Sequence, residues 1–149
     1  MQTLETYSIL TIGYEGRTAN ELLSELAQAH VTALVDVRLT PLSRKPGLSK
    51  RHLANQLEQA NIWYLHMPAL GNPRDNRDAF RQGVAQSRTR FRDLLQRPDA
   101  QEALGKLWSV VYKQRVALLC FEQDATTCHR FIVSEALLGI DPALAVEHL

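Results

Sequence analysis

Residues 120 to 130 read CFEQDATTCHR and gather two cysteines, two acids, a histidine and an arginine in one short stretch. Thr126 or Thr127 is expected to cap a helix that begins near Thr127 and runs to Gly139, so that Cys128 and His129 fall in its first turn. Unpaired backbone N–H groups and the positive end of the helix dipole favour an anion at such a turn. A thiol there ionises more readily, and Arg130 or a protonated His129 pushes the same way. Cys128 is therefore a candidate nucleophile and His129 a candidate acid or base. The competing reading is that Cys128 packs as a small apolar residue while His129 and Arg130 cap neighbouring groups.

Cys120 reads differently, because it lies inside the apolar run VALLCF, where burial and inertness are expected. A metal would join Cys120, Cys128 and His129, with or without His66. Their spacing matches no zinc signature, and a buried strand cysteine is poorly placed to ligate. No metal and no cofactor is expected. A Cys-x7-Cys redox pair is disfavoured as well, since the familiar arrangement has two intervening residues.

Glu122 is the carboxylate nearest Cys128 and a candidate acid or base if burial raises its pKa; its competing role is to cap the incoming helix or pair with an arginine. Asp36 and Arg38 alternate along a strand and point to one side, with Val37 opposite. They read as an ion pair, or as a group that orients His129 (Asp36) and grips an anion (Arg38). The stretch TPLSRKPGLSKRH adds Ser43, Arg44 and Lys45 on a backbone stiffened by two prolines and a glycine, suited to a clamp on phosphate. Tyr14 is the best candidate for stacking on a ligand, since Trp63 and Tyr64 sit within a strand and one of them at least belongs to the core.

These residues need a scaffold, and the hydrophobic pattern supplies one. YSILTIGY reads as a strand and NELLSELAQAH as a helix capped by Thr18. VTALVDVR is a strand apolar enough for burial on both faces, SKRHLANQLEQA a helix capped by Ser49, and IWYLHM a third strand. Residues 68 to 98 form an irregular, arginine-rich excursion with helical pieces around Phe80, Val84 and Phe91. Then come the amphipathic helix DAQEALGKLWSVVYKQ, the core strand RVALLCF, the helix near Thr127 and a last strand ALAVEHL. Strands alternating with helices imply an α/β, three-layer sandwich: a mainly parallel sheet of about five strands with helices on both faces. Ligands bind such sheets beyond the carboxyl ends of the strands. Tyr14, Asp36, Arg38, His66, Glu122, Cys128, His129 and Arg130 all follow strands and should share that edge.

A chain of 149 residues that is 45% hydrophobic fits a single domain, residues 1–149, and can bury a core without disulfides or a structural metal. Met1 to Ser8 carry no positive, apolar leader, and no run of about 18 apolar residues occurs. A cytoplasmic protein with no membrane association is expected. The net charge of +1 conceals an asymmetry: residues 38 to 97 hold twelve basic and four acidic side chains, leaving five basic and twelve acidic for the remainder. A basic middle suits a polyanion. Phosphate loops, dinucleotide fingerprints, hydrolase elbows, zincin helices and the Cys-x5-Arg phosphatase loop are all absent.

TIGYEGRT, DVRLTPLSRKPGLSKRHL, YLHMPALGNPR and LLCFEQDATTCHR with a closing VEHL resemble, in order and spacing, the bacterial and archaeal proteins grouped as domain of unknown function family 488. The resemblance spans nearly the whole chain. Its most specific pieces are D-V-R-x-x-P-x-S-R and C-x-E-x5-C-H-R, and the chain departs from the family pattern at Leu48, where an aromatic is usual. The resemblance implies a three-layer α/β fold and a shared site of Tyr14, Asp36, Arg38, Pro41, Ser43, Arg44, Glu122, Cys128, His129 and Arg130.

The expected function is an enzyme acting on a nucleic acid or a phosphorylated small molecule, with Arg38, Arg44 and Arg130 holding the anion beside Cys128 and His129. The alternative is a non-catalytic module that binds nucleic acid or another anion with the same arginines.

Overall fold

The computed structural model describes residues 7–149. Five strands, β1 (Ser8–Gly13), β2 (Ala33–Asp36), β3 (Trp63–His66), β4 (Val116–Cys120) and β5 (Ala145–His148), form one sheet in the order β3-β2-β4-β1-β5. Every pairing is parallel. The expected α/β sandwich is the observed fold.

Side-chain alternation divides the core in two. Ile9, Ala33, Val35, Val116 and Leu118 face one layer, built from α3 (Arg77–Arg81), α4 (Ala85–Leu95), α5 (Pro98–Lys113) and α6 (Arg130–Ile140). Leu10, Ile12, Leu34, Ala117 and Leu119 face the other, built from α1 (Ala19–Gln28) and α2 (Lys50–Gln59). Strands apolar on both sides are what a covered parallel sheet demands. Among the described residues no helix is long and apolar enough to cross a membrane.

Helix starts follow local chemistry. Thr18 caps α1 in a full capping box, its hydroxyl accepting from the Glu21 N–H while Glu21 accepts from the Thr18 N–H. Ser49 occupies the cap position of α2, but its hydroxyl serves the preceding loop, accepting from the Ser43 N–H and donating to the Ser43 carbonyl. The arginine-rich excursion is two short 3-10 turns followed by α3 and α4.

The region around Cys128 differs from the expected geometry. Asp124 accepts from the Thr126 N–H and nucleates a 3-10 turn, Ala125–Thr127, so α6 begins only at Arg130 with His129 as its cap residue. Cys128 and His129 thus precede the helix rather than occupying its first turn. Gly139 is likewise internal to α6, which ends at Ile140. Leu48, the departure from the family pattern, is fully buried among the α1 and α2 core residues.

Candidate active site

β1, β2 and β4 end at the same edge, and the segments that follow them are stitched together. The Tyr14 N–H donates to the Cys120 carbonyl and the Glu15 N–H to the Phe121 carbonyl, while the Val37 N–H donates to the Leu119 carbonyl. Above this edge lies a cavity of about 270 Å³, walled by Tyr14, Phe121 and Phe80 and floored by Cys120, Glu122, Cys128 and His129. Thr40, Leu42, Ser43 and Arg44 line it from the loop after β2, and Asn72, Arg77 and Arg81 from the excursion. That size suits a nucleobase or a phosphate-bearing group more than a large ligand.

The floor is a compact set of polar atoms. The Cys120 thiol lies 3.4 Å from Glu122 Oε2 and 3.5 Å from His129 Nδ1, and Cys128 Sγ lies 3.7 Å from the same nitrogen. His129 Nε2 stands 2.7 Å from the Val37 carbonyl, which can only accept, so this nitrogen carries hydrogen and Nδ1 faces the sulfurs. Phe91 packs edge-on against the ring at 5.3 Å and fixes its plane.

Burial and charge set the protonation of this group. Burial pushes the Cys120 thiol well up, and its hydrogen bond to Cys128 adds to the effect. Burial opposes ionisation of Cys128 too, but the hydrogen bond from Cys120 and the charge on His129 outweigh it and bring Cys128 well down. Burial would lower His129; the Cys128 charge and hydrogen bond instead raise it. Glu122 is raised by burial first and by the negative charge of Cys128 second, although Arg81 pairs with it at 3.2 Å.

Asp36 and Arg38 belong to the frame of the site. Asp36 Oδ1 accepts from the Arg38 N–H at 3.1 Å and from Nε at 2.8 Å, Oδ2 accepts from Nη2 at 2.7 Å, and the Tyr64 hydroxyl also donates to Oδ2. With both oxygens occupied, Asp36 does not reach His129. The Val37 carbonyl performs that orienting role. Arg38 is pulled down by burial but pushed further up by its bonds to Asp36, so it stays charged, and its third anchor is the Leu48 carbonyl. Its guanidinium lies 5.3 Å from the Tyr14 ring centre and lines the cavity from beneath.

Arg130 also departs from the expected role. It is 0% exposed and donates to the carbonyls of Glu122 and Gln123 at 2.6 and 3.2 Å. It shapes the turn that presents Glu122 and does not line the cavity. His66 is bonded to the Arg38 carbonyl and stands apart from the sulfurs. Trp63 is exposed on the edge strand, whereas Tyr14 does reach the cavity wall, edge-on to Phe121. The Ser43 hydroxyl accepts from the Lys45 N–H, and the Lys45 ammonium donates to the carbonyls of Tyr14 and Arg17, so this loop is tied to the end of β1.

Cys120, Phe121, Arg77 and Arg81 complete the cavity and were not among the expected site residues. Cys120 was detectable: it is the last residue of β4, at the strand end where ligands bind. Its expected burial is observed, with the Cys128 thiol and the His129 imidazole as its neighbours. Arg77 and Arg81 carried no local signal beyond their charge.

A family model described as Domain of unknown function DUF488 matches residues 18–137. No curated protein and no solved structure matches the chain.

Proposed function

The chain belongs to the DUF488 family, and from the site it carries we propose an enzyme that takes a phosphate-bearing substrate, either a nucleotide unit or a phosphorylated small molecule. The observation that carries this reading is one cavity that joins a cationic rim to a proton-holding floor. Arg44 and Arg77 line the rim with no ion pair among the described residues, and Arg81 shares its guanidinium with Glu122. Guanidinium groups at a cavity mouth suit phosphate oxygens. Tyr14 and Phe121 offer flat apolar walls for a base or sugar.

Within this reading the reacting side chain is Glu122. Cys128 is 1% exposed and His129 has both ring nitrogens engaged, so neither meets a substrate as a free nucleophile or base. Glu122 lies on the floor with one oxygen toward Arg81 and the other toward Cys120. It is positioned for proton transfer to or from a group anchored by the arginines.

Binding and turnover separate the enzyme from a module that only binds. With labelled single-stranded oligonucleotides and a panel of phosphate esters, Arg44→Ala and Arg77→Ala are expected to weaken binding and each lower the salt slope by about one. Glu122→Gln is expected to keep binding and lose product formation. Equal binding by all variants would remove the anion reading; turnover retained in Glu122→Gln would remove the catalytic one.

A further inference from the structure

We propose that Cys120, Cys128 and His129 form a binding site for a soft divalent metal ion of the zinc class, with its fourth position turned to the cavity. This rests on reading the cavity as a reaction site and identifies what its floor holds. Four features of the trio argue for it: spacing, tautomer, surroundings and the position of the remaining carboxylate.

The three donor atoms lie within 4.8 Å of one another. Nδ1 of His129 is 3.5 Å from one sulfur and 3.7 Å from the other. In a tetrahedral site with Zn–S of about 2.3 Å and Zn–N of about 2.0 Å, neighbouring sulfur and nitrogen donors stand about 3.5 Å apart. The side chains are already at ligand spacing, and an ion would replace the protons they now share.

The imidazole is set for ligation as well. Its Nε2–H is held by the Val37 carbonyl, so the nitrogen that would give up its proton to an ion is Nδ1, which faces the two sulfurs. A backbone carbonyl on the far nitrogen is the usual support of a metal-binding histidine. The Phe91 ring edge, with Val37 and Ile132 in the same buried cluster, encloses the group in apolar packing. Because Cys120 ends β4 while the other two donors follow the 3-10 turn, the site is assembled by the fold and has no compact sequence signature.

Glu122 lies beside the trio and outside it, 3.4 Å from Cys120 Sγ and paired with Arg81 on the cavity side. Three protein donors with an open position are the pattern of catalytic rather than structural zinc. A water on that position would be the attacking atom, activated by the ion, with Glu122 as its nearest carboxylate neighbour. The reaction class is then metal-assisted hydrolysis. A disulfide between the same cysteines would instead consume both sulfur donors and leave the His129 lone pair without an acceptor role.

The full chain, purified without chelator, is expected to retain about one zinc ion by elemental mass spectrometry. After stripping and reduction it is expected to bind Co2+ with thiolate-to-cobalt absorption in the near ultraviolet and tetrahedral bands in the visible. Cys120→Ser and His129→Ala are expected to lower Zn2+ affinity by about a hundredfold or more. Absence of both retained zinc and the cobalt bands in the reduced wild-type chain overturns the proposal, whether or not the variants fold. A metal-free chain about 2 Da light, in which the reduced form takes up no cobalt, overturns it in favour of a redox pair. Arg44→Ala is expected to bind the metal as the parent does. Loss of phosphate binding with zinc retained in that variant is the result both readings expect; in the parent chain, zinc without phosphate binding would defeat only the substrate reading, and phosphate binding without zinc or cobalt only the metal.

Discussion

Gly13 stands opposite Cys120 in the β1–β4 ladder, and a methyl carbon placed on Gly13 would lie 1.8 Å from the carbonyl oxygen of Glu122. The obstacle is backbone, which no side-chain rotation relieves. The approach is what lets the chain after β4 turn over the end of β1 and present Glu122 to the cavity.

Gly13→Ala is expected to destabilise the protein by about 1–3 kcal/mol, as overpacking against a fixed neighbour does. Gly105→Ala, in the middle of α5 with nothing within 4 Å of the added carbon, is expected to stabilise by about 0.5–1 kcal/mol. Urea denaturation of the two variants should give opposite signs. Equal effects would mean that the β1–β4 approach is looser than described.

Asp36 is the only acid partner of buried Arg38 among the described residues. Asp36→Asn leaves a guanidinium charge in the interior with only neutral acceptors, the Leu48 carbonyl and one amide oxygen, a change expected to cost about 3–5 kcal/mol. Pairing it with Arg38→Met should recover part of the loss, because the stranded charge is removed. A double variant no more stable than Asp36→Asn would show that packing, and not charge, dominates at this pair.

Tyr64 is raised from its ordinary value by burial first and by its bond to Asp36 second. Its phenol therefore stays protonated in the folded chain at pH values where the unfolded chain would ionise it. The contribution to stability is complete below the unfolded pKa of about 10 and is lost as pH rises from there through the folded value. Tyr64→Phe is expected to weaken the protein at pH 7 by removing a bond to a charged group, about 1.5–3 kcal/mol. It should also shallow the alkaline decline in melting temperature; parallel declines would refute the assignment.

Arg130 spends its charge on two backbone carbonyls, and its Nε has no partner. A lysine carries a compact ammonium that cannot span both carbonyls in the same fork geometry. Arg130→Lys is expected to lower stability by about 1.5 kcal/mol or more, measured by thermal melting. If the loss is nearly zero, the Arg130 fork does not hold the turn that presents Glu122.

The centre of the sheet was readable because its strands are buried on both faces, as in VALLC, where every residue is buried. The strand-end rule then located Tyr14, Glu122, Cys128 and His129 at the cavity without any motif. The register of the Cys128 turn was not readable, since either threonine could have capped a helix and it is Asp124 that claims the Thr126 N–H. Arg130 was misassigned because a basic residue beside a histidine suggests an anion site, and only the folded chain brings the Glu122 and Gln123 carbonyls to it. Cys120 shows the same limit: its partner sulfur is eight positions away in sequence, and the loop that returns it is irregular.

The strand order places β4 and β1 in the interior of the sheet and β3 and β5 at its margins. The cavity floor therefore hangs from the part of the sheet expected to open last. In deuterium exchange, amides of Leu118 to Cys120 are expected in the slowest class, and those of β3, with Trp63 exposed, are expected to exchange by fraying at the margin. Residues 40 to 44 and α3, which line the cavity from outside the sheet, are then expected to open at lower cost than the floor, leaving the thiols and imidazole at their mutual spacing.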